Sequence, residues 1–196
     1  MRDENLRDLL VTYTVPISYT EEPLAEDLNP LSAFPGFSPD LGIDEPKRII
    51  ASLGYTPFDL AGLQQQLGGR PLVSTLFPFP PGAPRYQRNW QLLLKLFGVG
   101  EAMETPIRVD AIDVSYAFDV LKSLTNSGQE HAFLLPFGPK PHSLAMLLHS
   151  IQFKSVVQYT QPKIYHPEYS SGIKKINEDP VVYCYCIRLQ GQDLYI

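Results

Sequence analysis

From about residue 70 to residue 160, short apolar runs alternate with stretches whose apolar residues recur at helical spacing. That alternation restricts the fold more than any other feature of the chain. A strand is read across Leu72 to Phe77, a helix through "RYQRNWQLLLKLFG", and a strand in "PIRVDAI". A helix follows through "DVSYAFDVLKSLTNSG", with Asp113 or Ser115 as its cap and Gly128 beyond its end. Then come a strand from His131 to Pro136, a helix from His142 to Ile151 and a strand near Ser155 to Thr160. Short strands joined by helices pair in parallel, because a parallel connection must cross the sheet. The expectation is an α/β fold, three-layer and Rossmann-like, with a mostly parallel sheet, helices on both faces and a C-terminal strand pair.

Outside this core the reading is coarser. "LLVTYTVPISY" alternates Val11, Tyr13 and Val15 against Thr12 and Thr14 as a strand and ends at Pro16. Asp44 could cap a helix through "EPKRIIASLG", with Pro46 in its first turn and Gly54 past its end, and a second helix fits Thr56 to Leu67. "KIYHPEYSSGIKKINEDP" reads as a long loop. "VVYCYCIRLQ" and "DLYI" read as closing strands joined across Gln190 to Gln192. Apolar on both faces until Arg188, "VVYCYCIRL" is expected to be covered on two sides. The whole is taken as a single α/β domain, 1–196. It divides into a strand with a proline-rich segment (1–43), an alternating core (44–160), a long loop (161–179) and closing strands (180–196).

Composition narrows the partners. A formal net charge of -5 on 196 residues gives no bulk attraction to nucleic acid or anionic lipid, which argues against direct nucleic-acid binding. No apolar run has membrane-spanning length and no signal peptide is evident, so a cytoplasmic protein with no membrane partner is expected. Cys184 and Cys186, two apart in a strand, are poorly placed for a disulfide and are read as buried free thiols.

In a parallel sheet, ligands bind beyond the carboxyl ends of the strands, where loops enter helix N-termini with outward amide donors. Three loops qualify. One carries Arg85 and Arg88 after the Leu72 strand; another carries Gly138, Lys140 and His142, with Ser143 beginning the next helix; the third carries Lys163, Tyr165 and His166. Together they suggest a crevice for a small anionic ligand. Solvated cations in exposed loops are the bland alternative. Asp110 and Asp113 follow the "IRV" strand, and Asp113 and His166 are the candidates for moving a proton, although capping is the simpler role for Asp113.

Several chemistries lack support. "FGPKPHSL" has neither the glycine spacing nor the Lys-Ser pair of a phosphate loop, and no G-x-G-x-x-G occurs, so no cofactor is expected. His131, His142, His149 and His166 show no ligand spacing, so no metal is expected. Among nucleophile candidates, Ser143 reads as a cap and no G-x-S-x-G elbow exists; Ser115, Ser170 and Cys184 have no activating context.

The strand-turn-helix "FLLPFGPKPHSLAMLL", Phe133 to Leu148, resembles the apolar strand, Gly-x-Lys turn and Ser/Ala-rich helix of the CARF and SAVED families of ligand-sensing Rossmann-like domains. The resemblance implies contact of Gly138, Lys140 and Ser143 with a cyclic nucleotide, in prokaryotic antiviral defence. Three functions therefore stand: a sensor for an anionic, nucleotide-like ligand, a non-catalytic subunit docking on a protein partner, and a small enzyme acting on a phosphorylated metabolite.

Overall fold

The computed structural model of the chain describes residues 6–19, 25–28, 32–37, 48–54, 71–79, 104–165, 168 and 170–195. Along it lie β1 (Leu9–Thr14), β2 (Ser18–Tyr19), β3 (Ala25–Leu28), β4 (Ser32–Ala33), β5 (Arg48–Ser52), β6 (Leu72–Phe79), β7 (Ile107–Asp110) and α1 (Val114–Leu124). These are followed by β8 (Ala132–Pro136), α2 (Lys140–Phe153), β9 (Val156–Tyr159), β10 (Pro162–Tyr165), β11 (Ser170–Ser171), β12 (Lys175–Ile176), β13 (Asp179–Pro180), β14 (Val182–Leu189) and β15 (Gln192–Asp193). Two compact units result: Glu22–Pro167, and Met1–Glu21 with Glu168–Ile196.

The larger unit is built on a six-stranded sheet of order β4-β9-β8-β5-β6-β7. Neighbours from β9 to β7 run parallel, and β4 is antiparallel at the edge. The centre is β5, bonded along its whole length to β6 on one side and β8 on the other. Ile49, Ile50 and Ala51 are wholly buried. Ile49 and Ala51 share one face with Val73, Phe133, Leu135 and Val156. Ser52, on the same face as Ile50, bonds His142 of α2, which marks the helix-covered side.

This arrangement corrects the helix expected through residues 44–54: residues 48–52 are the central strand. A strand dry on both faces loses the polar alternation that identifies it, and its short apolar run is then indistinguishable from a piece of buried helix. Pro46 and Gly54 punctuate either element. Arg48 opens the strand as a buried cation, pairing with Glu104, donating to Ser74 Oγ at 2.8 Å and lying 3.7 Å from Glu130.

The three-layer, Rossmann-like arrangement is corrected as well. Among the described residues there are two helices, α1 and α2, packed against one another, while the sheet is mixed and the remaining strands form small antiparallel groups. Chain expected as loop instead supplies extended pairs: β10 with β3, β11 with β2 and β12 with β13. Two or four residues of strand carry no periodicity, so only the partner reveals them. The expected helices over 56–67 and through "RYQRNWQLLLKLFG" lie outside the described residues.

Where the spacing was long enough, it served well. Asp113 caps α1 by accepting from the Tyr116 amide at 2.8 Å, and Val114, Ala117, Phe118 and Leu121 form its buried stripe. Gly128 takes a left-handed conformation beyond the helix, at φ +82°. The helix α2 extends the expected one by two residues at each end, and β6, β7, β8 and β9 lie where strands were read.

His149 of α2 joins three segments. Thr125 at the end of α1 spends its hydroxyl proton on the Leu121 carbonyl at 2.9 Å, so it accepts from His149 Nε2 at 2.9 Å. The other nitrogen, Nδ1, then accepts from Ser155 Oγ at 3.2 Å. The ring is bonded at both ends as the neutral tautomer.

The smaller unit is antiparallel. β14 pairs with β1, placing Leu10 opposite Cys186, Thr12 opposite Cys184 and Thr14 opposite Val182, and it folds back onto β15. The expected terminal hairpin forms, with Gln190 and Gly191 both at positive φ as a tight turn of the primed type requires. Asn177 and Glu178 make the same kind of turn between β12 and β13. Two expectations are overturned. The β14 strand is exposed at Val182, Cys184 and Leu189 instead of covered on both sides, and Cys186 is half-buried; both cysteines are free. An antiparallel pair can leave one face wet.

Burial pushes the His149 imidazole down from 6.5 to about 4. A depressed histidine supports the fold above its unfolded pKa, and the support is lost as pH falls from 6.5 toward 4. Urea unfolding of wild type at pH 7 and pH 4 should show a loss larger by about 3 kcal/mol than that of His149→Gln, whose side chain does not titrate.

Candidate functional site

The order of the parallel strands locates the place to look. From β5 the chain adds β6 and β7 on one side, then returns to add β8 and β9 on the other. β5 and β8 are therefore the adjacent strands from which the strand order runs in opposite directions. Such a reversal opens a crevice in parallel α/β sheets. The turn Pro136 to Lys140 stands there.

At this point the two chain segments touch. A Cβ on Gly54 would lie 1.6 Å from the Phe137 carbonyl oxygen, and one on Gly138 would lie 1.9 Å from Ser52 Oγ and 3.1 Å from the Leu53 carbonyl oxygen. Both glycines are thus required by the crossing of the chain over itself. Gly138 faces Ser52 and Leu53, so its missing side chain makes room for β5. Phe137 stacks obliquely on Tyr159, with ring centroids 6.2 Å apart, tying the turn to the end of β9.

The turn leads into α2, whose N-cap is Pro139. That residue offers no side-chain cap, and the first helical turn carries no acid. The amide end of the helix is left electrostatically uncompensated, and Lys140, its first residue, is exposed. Ser143 Oγ reaches back only to the Pro139 carbonyl at 3.5 Å, so Ser143 is not the cap.

His142 points inward. It is wholly buried, with Nδ1 2.8 Å from Ser52 Oγ and Nε2 2.8 Å from the Asp110 carbonyl oxygen. Burial holds its pKa below the ordinary histidine value, against the opposing pull of the Asp110 carbonyl bond and the Asp110 charge. The two acids after β7 have local duties. Asp110 Oδ1 accepts from the Ile112 amide at 2.9 Å, and Asp113 Oδ1 caps α1. The capping role is the one the geometry gives to Asp113.

Lys163 is exposed on β10, and Tyr165 ends the same strand, in a ribbon with β3. Arg85, Arg88 and His166 lie outside the described residues. The structure thus brings Gly138, Lys140, His142 and Ser143 into one turn at the carboxyl edge.

Two residues there escaped the sequence reading. Ser52 was concealed in the supposed helix over 44–54; read as the end of a strand before Leu53-Gly54, it would have been selected by the carboxyl-edge rule. Arg108 of β7 lies with its guanidinium carbon 3.4 Å from the Phe79 ring centroid, a stacked cation on the outer strand. Its signal was faint, because one arginine in a strand also fits a solvated edge.

Replacing Gly138 by Ala should force the turn off β5 and lower stability by roughly 1–3 kcal/mol, as overpacking does. Gly191→Ala, at φ +83° with open space around it, tests backbone strain alone and should cost about 1 kcal/mol. Denaturant midpoints of the two variants check this. The chain matches no protein-family model, no curated protein and no solved structure.

Proposed function

We propose that the carboxyl edge of the parallel sheet binds a small anionic ligand, phosphorylated or nucleotide-like, and that the chain is a binding or sensor module. The observation that carries this reading is the start of α2: uncapped, free of acids, bearing an exposed lysine, and set where the strand order reverses. Unsatisfied amides and the helix dipole favour an anion, and Lys140 adds a point charge. Arg108, held over Phe79 at the end of β6, adds a second cation on the same edge of the sheet. The resemblance of Phe133 to Leu148 to ligand-sensing domains implies the same turn and the same ligand class. No helix among the described residues is long and apolar enough to cross a membrane, and a cytoplasmic setting, with free thiols, fits this reading.

Docking on a protein partner is favoured by a separate observation. One face of the β1-β14 pair presents Leu10, Thr12, Thr14, Val182 and Cys184, all exposed and none charged. Leu10→Lys combined with Val182→Lys would disturb such docking while changing no residue of the unit that holds Lys140.

A thermal-shift panel of inorganic phosphate, ATP, cyclic mononucleotides and cyclic dinucleotides tests the ligand reading. Wild type is expected to be stabilised by at least one member. Lys140→Glu, which reverses one charge at the helix start, should weaken that binding about tenfold or more, on the order of 1–2 kcal/mol. Equal stability of wild type across the whole panel, with no phosphorylated compound released on heating the purified protein, would overturn it.

A further inference from the structure

The Ser52-His142 pair has a defined direction. The Asp110 carbonyl oxygen can only accept, so His142 Nε2 carries the ring proton and donates to it at 2.8 Å. A neutral ring then leaves Nδ1 as an acceptor, and Ser52 donates its hydroxyl proton to it at 2.8 Å. One side chain on the first turn of α2 is therefore bonded to the end of β5 and to the end of β7. Both partners of the Ser52 bond are wholly buried, and Gly138 closes over the hydroxyl. The pair is sealed from any ligand, yet Lys140 stands only two residues before the ring.

We propose that Ser52 and His142 are positioning residues for the ligand contact at Lys140, fixing the start of α2 to β5 and β7 through a neutral imidazole. The inference rests on the anion-binding reading of this edge. It makes the relay, rather than direct contact, the reason a histidine stands at position 142. Burial, which disfavours the charged ring, keeps the relay in its bonded form at neutral pH. Asp110 is the charge that acts on the ring; Arg108 of β7, Asp113 at the start of α1 and Lys140 of α2 lie near it in the chain or beside its bonded partners, and Asp119 and Lys122 of α1 and Arg48 at the far end of β5 complete the charged groups on these elements. The acids favour the charged ring; Arg108, Lys140 and the positive end of the helix oppose it. Ser52 contributes only a hydroxyl from β5, and the turn Phe137 to Pro139 contributes no charge.

The two roles open to His142 have opposite signs in acid. A histidine touching the ligand gains positive charge as pH falls and binds an anion more tightly. For a positioning histidine, protonation of Nδ1 reverses the Ser52 hydrogen bond and places a charge in a buried site beneath the turn, so the start of α2 and the anion site with it loosen. Sulfate, whose charge is constant between pH 8 and pH 4.5, is a suitable probe, with circular dichroism confirming that the protein stays folded. Sulfate affinity of wild type should be level near neutrality and fall in acid, whereas that of His142→Gln should show no such step. Tighter binding of sulfate by wild type in acid would overturn the proposal.

Two measurements on the free protein judge the relay separately from ligand binding. Imidazole nitrogen NMR should show His142 as the Nε2-H tautomer. Ser52→Ala should speed amide exchange at Ser143, whose N–H donates to the Pro139 carbonyl at 3.1 Å, about tenfold, the equivalent of one lost hydrogen bond, and leave exchange along β14 unchanged. An Nδ1-H tautomer, or unchanged exchange in Ser52→Ala, would overturn the positioning role even if sulfate binds. Normal relay behaviour with no sulfate binding at any pH would instead remove the anion-site reading.

Discussion

The backbone ladder on both sides of β5 is the constraint from which the larger unit follows. Its five residues bond to β6 and to β8 in unbroken register, and Ile49, Ile50 and Ala51 fill both faces of the sheet there. A parallel strand so enclosed is apolar where it meets neither water nor a polar partner, and its two polar residues, Arg48 and Ser52, are both hydrogen-bonded. Once β5 is central, β6 and β7 extend one side and β8 and β9 the other. The carboxyl ends of β5 and β8 become the point of divergence. Arg48 at the opposite end of the strand is buried with Glu104 and Glu130 as its acidic partners, so the amino edge is closed by charge pairing while the carboxyl edge is closed by glycine contact. Removing the acids would leave Arg48 as a buried, uncompensated charge, which is costly.

Two buried histidines show how the same side chain does different work. His149 is bonded to Thr125 and Ser155 and fastens α2 to the end of α1 and the approach to β9. Its surroundings are otherwise aromatic, with Phe153 at 4.7 Å and Phe118 at 6.1 Å between ring centroids. His142 is bonded to Ser52 and to the Asp110 carbonyl at the carboxyl edge. Seven residues apart on one helix, the two rings anchor opposite ends of α2 to the rest of the unit. Neither lies at the surface, whereas Lys140, the first residue of α2, is exposed.

How legible the fold was depended on length and on the number of wet faces. The α1 stripe of Val114, Ala117, Phe118 and Leu121, with Asp113 as cap, could be read directly because eleven residues give three turns of repeated spacing. The strands β6 and β8 were bounded by prolines and glycines and were equally plain. β5 was not, since "RIIAS" is too short to show a period and carries no alternation. The short pairs β2-β11 and β10-β3 join residues more than a hundred positions apart, and nothing local in a two-residue strand announces its partner. The rule for carboxyl ends singled out Gly138 and Lys140. Gly138 has a different task from the one that rule suggested, because its nearest neighbour is Ser52 and not open space.

Spacing along the chain was enough to reveal the alternation of strands and helices over residues 104–160, the cap of α1, the terminal hairpin and the turn that leads into α2. Each of these depends on spacing or on the backbone freedom of a few adjacent residues, which a linear chain displays. That β5 is a strand, that β14 keeps one face exposed, and that His142 turns inward to Ser52 and Asp110 is visible in the folded chain alone. Those outcomes depend on which distant segments come to lie side by side, and burial and hydrogen bonding across such contacts are properties of the packed chain.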